Sequence, residues 1–167
     1  MSRRLAVAVV AVLAAVLGAR TVAGGDGDGG GGVEAGSRGT AVVTRVVDGD
    51  TAVLERLGKT RFIGVDTPEV YGGEECFGAQ ASAFTKRTLG GRQIRYEVGA
   101  EPRDRYARTL VYIWLEDGRF FNQMLVDEGY ARPRAIVPNI EHADRFRRSA
   151  RAARARDRGL WSATACP

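Results

Sequence analysis

The sequence predicts a small, mainly β domain of the α+β class, with five short strands and about three helices. Its 167 residues, 44% of them hydrophobic, are enough for one globular domain with a modest core. β-Branched residues cluster in short runs that glycine and proline separate, and longer segments with helical spacing lie between and after these runs. A domain of this size is expected to carry one functional site.

The first part of the domain is predicted to form three strands. The runs TAVVTRVV and TAVLERL are rich in β-branched residues and flank an Asp-Gly turn pair at Asp48, so they form a strand, a turn and a strand. Gly58 turns the chain into the third strand. Pro68 ends that strand, because proline has no backbone donor and restricts the residue before it.

The remainder is predicted to add a helix, two strands and two more helices. The first helix is indicated by Ala81, Phe84 and Leu89 with two glycines behind them. The two strands are the runs RQIRYEVG and TLVYIWLEDGRFF. The last helix is long and arginine-rich and is predicted to end at a glycine near the C-terminus. Five short strands with inserted helices suit a five-stranded Greek-key barrel of the oligonucleotide-binding type.

The N-terminal part of the chain is predicted to lie outside this domain. Two arginines, an uncharged apolar run and small residues follow one another, which is the pattern of a secretory signal peptide over residues 1–23. The apolar run is shorter than the roughly 20 residues that span a bilayer, and a retained membrane anchor is the alternative. Residues 24–38 are mostly glycine and are predicted to be a flexible linker to a domain over residues 39–167.

Cys76 and Cys166 are the two cysteines of the chain. An exported protein meets an oxidising environment, so we predict a disulfide between them, with two free thiols as the alternative. Together with the lone His142 they fall short of a usual zinc site.

The predicted last helix concentrates basic charge in a chain whose net charge is +5. Four of its arginines fall on one face at helical spacing: Arg147, Arg151, Arg154 and Arg158. This face is either a solvated surface or a non-specific contact with polyanions, and the second would weaken steeply with salt.

Carboxylates beside turn-forming residues predict a cation site. Asp50 and Asp66 are hard oxygen ligands, and the backbone carbonyl of Thr67 at the following bend can add another oxygen. Because no histidine is near them in the sequence, calcium is favoured, with magnesium and manganese left open.

Two arginines and a glutamate indicate what this cation would act on. A phosphodiester gains negative charge in its transition state, and the guanidinium groups of Arg61 and Arg108 can stabilise that charge together with a divalent cation. Glu69 can orient or deprotonate the attacking water. Since residues five apart point to opposite faces of a regular strand, Arg61 and Asp66 can share a site only if the chain bends, and Gly64 is the expected place.

These motifs resemble the staphylococcal nuclease-like (thermonuclease) family over most of residues 40–161. The stretches that carry the resemblance are VVDGDT, TRFIGVDTPE, ASAFTKR, DRYARTLVYIW and FNQMLVDEGYA. The resemblance implies an oligonucleotide-binding barrel with three helices. It also implies calcium-dependent hydrolysis of DNA and RNA to products that carry a 3′-phosphate.

The resemblance further implies a role for each site residue. By motif position the matches are Asp50, Asp66 and the carbonyl of Thr67 for calcium, Arg61, Glu69 and Arg108 for catalysis, and Tyr106 for substrate contact. The chain departs from the family after the second helix, where family members close to the namesake carry two tyrosines. The segment RPRAIVPN, which includes Arg134, has no aromatic residue there, so weaker base stacking is expected.

We therefore expect a secreted, monomeric, Ca²⁺-dependent nuclease that cleaves DNA and RNA with little sequence preference by direct attack of water. No stable membrane association is expected once the signal peptide is removed. The alternative is a non-catalytic nucleic-acid-binding or interaction module on the same barrel. The presence of all five acidic and arginine side chains of the site, the calcium carboxylates included, argues against that alternative.

Overall fold

Five strands close into a barrel in the order β1-β2-β3-β6-β5, and a separate two-stranded sheet pairs β4 with β7. The computed structural model describes residues 33–71, 73 and 75–166. The strands are β1 (Arg38–Asp48), β2 (Thr51–Leu54), β3 (Gly58–Phe62), β4 (Gly64–Asp66), β5 (Gln93–Arg103), β6 (Thr109–Leu115) and β7 (Arg132–Arg134). The helices are α1 (Gly78–Leu89), α2 (Phe121–Asp127) and α3 (Ala143–Arg154), followed by a 3₁₀ turn at Gly159–Trp161.

This architecture confirms the predicted fold class. Strand β1 is long enough to pair with β5 through its first half and with β2 through its second half, and two register shifts in the second half let it curve. The barrel is mixed, because β3 and β6 pair in parallel while the other barrel pairs are antiparallel.

The predicted signal peptide and most of the predicted linker lie outside the described residues. Hydrogen bonding to β5 begins slightly before β1. The backbone N–H of Gly36 donates to the carbonyl of Val98, and the N–H of Val98 donates to the carbonyl of Ser37. None of the helices formed by the described residues has the length and hydrophobicity that a membrane span requires.

The core fills the barrel and the space between the barrel and the helices. Its largest fully buried side chains include Leu54, Phe62, Ile94, Phe121 and Phe146. The buried side chain of Asn122 on α2 adds polar contacts, since its amide donates to the carbonyl of Ile63 (2.9 Å) and its oxygen accepts from the N–H of Ile113 (2.9 Å). Ile63 lies between β3 and β4, so Asn122 holds the chain where the barrel strand ends.

The predicted third strand is two strands in the structure, broken at the expected glycine. Gly64 has a φ of +80°, which side chains rarely adopt, and a Cβ there would collide with the ring of Phe146. Strand β4 then leaves the barrel and pairs with β7, a short strand that the sequence analysis did not predict. The bend is therefore fixed both by backbone conformation and by the packing of α3.

The arginine-rich helix is shorter than predicted, because α3 ends at Arg154 and not at Gly159. The following turn packs against the chain after α2, where the N–H of Leu160 donates to the carbonyl of Gly129 (2.9 Å). Arg158 is consequently outside the helix and donates to Glu128 Oε1 (3.2 Å). The prediction that Arg158 shares one helical face with the other three arginines is wrong.

A disulfide joins Cys76, just before α1, to Cys166 in the C-terminal tail, which is the predicted pairing. It links two segments that are 90 residues apart in the chain. The loop after β4 is thereby tied to the end of the domain.

Candidate active site

The turn between β1 and β2 carries the first of the predicted cation ligands, Asp50. Helix α1 fixes this turn, because the hydroxyl of Thr85 donates to the carbonyl of Gly49 (2.6 Å). Thr67 packs against the turn so closely that a Cβ on Gly49 would lie 2.7 Å from its hydroxyl oxygen. Glycine is therefore required at position 49 by this close approach as well as favoured by the turn.

Asp50 is buried, and both of its carboxylate oxygens accept hydrogen bonds. Its Oδ1 accepts from the hydroxyl of Thr51 (3.0 Å), and its Oδ2 accepts from the backbone N–H of Thr67 (3.0 Å). Arg61 Nη2 lies 2.8 Å from the same Oδ2. Burial raises the pKa of Asp50, although Arg61 and these hydrogen bonds act in the opposite direction.

Arg61 joins the two predicted carboxylates. Its Nη2 lies 2.8 Å from Asp50 Oδ2 and 2.8 Å from Asp66 Oδ1. Its Nη1 donates to the carbonyls of Phe62 and Val65, both at 2.6 Å. Strand β3 orients the side chain, and the break after Phe62 brings Asp66 back towards it. The guanidinium is thus held by four acceptors on two separate segments.

The oxygen atoms around this arginine fit a hard cation. Asp50 and Asp66 both contact one nitrogen of Arg61, so their carboxylates are close neighbours. The hydroxyl of Thr67 is buried and has no hydrogen-bond partner among the described residues. Within residues 33–71, 73 and 75–166 no three His, Cys, Asp or Glu side chains converge as a metal cluster. A cation here would therefore depend on two carboxylates and on carbonyl or water oxygens, a set that calcium accepts.

Glu69 lies in the exposed loop after β4, and its backbone is held by Glu75. The N–H of Glu69 donates to Glu75 Oε2 (3.2 Å), and the N–H of Glu75 donates to the carbonyl of Glu69 (2.9 Å). Partial burial and the neighbouring carboxylates of Asp48, Asp50 and Asp66 raise the pKa of Glu69. A carboxylate in such surroundings accepts a proton more readily than an isolated one does.

Arg108 is held by a different acid, Asp104, at the entry to β6. Asp104 Oδ2 lies 2.6 Å from both Arg108 Nε and Arg108 Nη2, and Oδ1 accepts from the Arg108 backbone N–H (3.0 Å). Burial raises the pKa of Asp104, but the hydrogen bonds from Arg108 and Tyr106 outweigh burial, and the net shift is downward. The ion pair therefore stays charged.

Tyr106 lies beside this pair with an exposed ring. The guanidinium carbons of Arg105 and Arg108 lie 4.7 Å and 5.4 Å from the ring centroid. Arg105 also donates to the tyrosine hydroxyl (2.6 Å). The side chain is 64% exposed, so part of the ring is accessible to a flat group.

A groove of about 770 Å³ collects most of the predicted site residues. Those in its lining are Arg61, Asp66, Glu69, Tyr106 and Arg108. Asp50 and Thr67 are buried and are not among the described residues that line the groove. The disulfide also lies outside it. Arg108 contacts Asp104 and Tyr106, and the described contacts do not join it to the Arg61 cluster.

The sequence analysis missed two site residues. Asp104 orients Arg108, and its signal was its place four residues before Arg108 in a polar turn. Arg134 on β7 lines the same groove, with Nη1 at 3.0 Å from Asp66 Oδ1. In the sequence, Arg134 stood out only as part of RPRAIVPN, the segment that lacks the family's tyrosines. Its contact with Asp66 could not be predicted, because it depends on the pairing of β4 with β7.

A closed five-stranded barrel that places arginines and carboxylates together in one groove defines an oligonucleotide-binding-type barrel with a site suited to phosphate. Residues 59–163 match the family model described as "Staphylococcal nuclease homologue". The chain therefore belongs to the staphylococcal nuclease family, as its motifs predicted.

Named relatives agree with the family match. The chain is 39% identical over 129 residues to the thermonuclease of Staphylococcus hyicus, covering 74% of this chain and 76% of that protein. It is 37% identical over 126 residues to the thermonuclease of Staphylococcus intermedius, covering 72% and 74%. It is also 38% identical over 136 residues to Endonuclease YhcR of Bacillus subtilis (strain 168), covering 72% of this chain and 11% of that protein.

Proposed function

We propose that this protein is a Ca²⁺-dependent nuclease that hydrolyses the phosphodiester bonds of DNA and RNA with little sequence preference. The observation that carries the proposal is the cluster in which Arg61 joins the buried Asp50 to Asp66, with Arg61, Asp66 and Glu69 lining an open groove. Family membership and the nuclease names of the relatives support the same activity.

Each residue of the site has a role in this reaction. Calcium held by Asp50, Asp66 and the carbonyl of Thr67 would neutralise charge on the scissile phosphate. Arg61 and Arg108 bind the phosphate oxygens, because guanidinium forks match their geometry. For this, Arg61 exchanges part of its contact with the carboxylates for contact with phosphate.

Glu69 accepts a proton from the attacking water. The water oxygen forms a bond to phosphorus, the bond from phosphorus to the 5′ oxygen breaks, and the leaving oxygen takes a proton from the solvent to become a 5′-hydroxyl. The phosphate remains on the 3′ side. Among the described residues that line the groove there is no Ser, Thr, Cys, Lys or His, and the one hydroxyl group, that of Tyr106, accepts from Arg105. This lining supports direct attack by water without a covalent intermediate. Cleavage of a substrate with a chiral, isotope-labelled phosphodiester should invert the configuration at phosphorus, and retention would contradict this route.

The proposal includes export of a monomer after removal of residues 1–23. The signal-peptide pattern and the disulfide between Cys76 and Cys166 support it, because disulfides persist in oxidising compartments. N-terminal sequencing of protein from the culture medium tests the cleavage, and light scattering tests the monomer. An intact N-terminus in the membrane fraction would favour the retained anchor.

The activity test uses purified protein with single-stranded DNA, double-stranded DNA and RNA. Each substrate is incubated with calcium, magnesium, manganese or a chelator. Glu69→Gln is compared with Glu55→Gln, which makes the same change at an exposed position in the turn after β2. We expect cleavage in calcium that is lost in the chelator and in Glu69→Gln, and retained in Glu55→Gln. Binding without cleavage by folded, calcium-loaded protein would favour the non-catalytic module.

A further inference from the structure

We propose that Arg134 is a third substrate-binding arginine, which contacts the phosphate next to the scissile one. This inference rests on the proposed function. It identifies the preferred substrate as a strand with at least two consecutive phosphates, and it assigns a binding role to a residue of β7.

The pairing of β4 with β7 brings Arg134 to the cluster. Arg134 pairs with Gly64, the residue at which the chain leaves the barrel. From there its Nη1 reaches Asp66 Oδ1 at 3.0 Å, the same oxygen that Arg61 Nη2 contacts at 2.8 Å. One carboxylate oxygen thus contacts two guanidinium groups that come from different strands.

The ion pair between Arg134 and Asp66 is poorly suited to a purely structural role. The side chain of Arg61 is 13% exposed, whereas that of Arg134 is 57% exposed. Exposed ion pairs contribute little to stability. Apart from its contact with Asp66, Arg134 makes no side-chain hydrogen bond within the described residues. Its remaining N–H donors are available to an anion in the groove.

The position of Arg134 indicates which phosphate it binds. Arg61 bridges both carboxylates and lies at the buried end of the cluster, where the scissile phosphate is proposed to bind. Arg134 contacts only Asp66 and is the more exposed of the two arginines. Beside it, the side chains of Ile136 and Val137 are exposed and can lie against a sugar or base. The guanidinium can bind the phosphate of the nucleotide next to the cleaved bond, while the apolar surface contacts the sugar or base of that nucleotide.

The test measures binding in the Glu69→Gln background, with calcium present and salt varied. Each phosphate contact to a single strand contributes about 0.7 to the slope of log K against log salt. We expect Arg134→Gln to make the slope for a single-stranded oligonucleotide shallower by about 0.7, and Arg134→Lys to retain the slope. Affinity for a dinucleotide with one phosphodiester should be the same in the parent protein and in Arg134→Gln.

Arg119→Gln is the matched control. Arg119 is 58% exposed and pairs with Asp117 at 2.7 Å, so its ion pair resembles that of Arg134 but lies at a turn after β6. This variant should retain the parent slope. Thermal unfolding of all variants checks that each is folded.

Three results would overturn the inference. The first is an unchanged slope in Arg134→Gln, and the second is an equal loss of affinity for dinucleotide and oligonucleotide, which would assign Arg134 to the scissile phosphate. The third is a change in calcium affinity alone, which would mean that Arg134 only holds Asp66. Because binding is measured in a cleavage-deficient background, failure of the wild-type protein to cleave would overturn the proposed function while leaving a measured change of slope in place.

Discussion

Arg61 and Asp66 are five residues apart in the chain, and yet Arg61 Nη2 lies 2.8 Å from Asp66 Oδ1. In a regular strand the two side chains would point to opposite faces of the sheet. They meet because β3 ends at Phe62 and the chain turns at Gly64 before β4 continues. The centre of the candidate site is therefore a consequence of one broken strand.

Replacing the glycine at this break should cost both stability and activity. Gly64→Ala forces a side chain into a φ of +80° and against the ring of Phe146, so we expect the free energy of unfolding to fall by about 2–4 kcal/mol. Gly58→Ala is the control, because its φ is +70° but no atom lies within 4 Å of the added Cβ. Denaturant titration measures the free energy of unfolding of both variants, and the cleavage assay measures their activity. Equal losses in the two variants would contradict a contribution from packing against Phe146.

Asp104 should act as a positioning residue for Arg108. Asp104→Asn removes the charge that holds the guanidinium, and misplacing a phosphate-binding group should lower kcat by about 10–100-fold. Asp117→Asn is a close control, since Asp117 accepts from the backbone and side chain of Arg119 in the same way but outside the groove. A kcat that is unchanged in Asp104→Asn, or lowered equally in both variants, would argue against this role.

The disulfide should contribute substantially to stability. It closes a loop across a sequence separation of 90, and removing a bond of this kind typically costs about 2–4 kcal/mol. We expect reductant to lower the free energy of unfolding of the wild-type protein by this amount. A variant with Cys76→Ser and Cys166→Ser should have the lower stability already and should not respond to reductant. A wild-type protein with the same stability in both conditions would contradict the prediction.

Stability should also depend on pH through His142, the one histidine of the chain. Burial lowers the pKa of His142, whose ring lies 4.7 Å from that of Tyr112 and 4.9 Å from that of Phe120. The charged groups that also act on it are Glu141, Arg145 and Glu97. Because the pKa of His142 is lower in the folded state than in the unfolded state, the neutral ring contributes to stability. This contribution is fully present above the unfolded pKa of about 6.5 and is lost as pH falls through the folded pKa.

Two measurements test the role of this histidine. NMR titration of the single ring should give a pKa below the ordinary value. Between pH 7.5 and 5, the difference in free energy of unfolding between the wild type and His142→Gln should decrease. A ring that titrates at or above the ordinary value would contradict the prediction.

Much of the fold and part of the site could be predicted because the signals are local. β-Branched runs and the turn pair at Asp48 depend on backbone preferences within a few residues. The glycine at position 64 is likewise a local signal for a break, although Phe146 of α3 also packs against it. The end of α3 could not be predicted in this way. It depends on Gly129, which contacts the turn at Gly159–Trp161 from a distant part of the chain.

The sequence by itself determined the five-stranded barrel with its helices, the family, and the residue types that a phosphodiester site requires. Only the tertiary structure decided that Arg61 bridges Asp50 and Asp66, that Asp104 holds Arg108, and that Arg134 reaches the same groove. The physical reason is the sequence separation of the residues that make each contact. Turns and strands follow from neighbouring residues, whereas the contact between Arg134 and Asp66 requires β4 to leave the barrel and pair with a strand that lies 68 residues further along the chain.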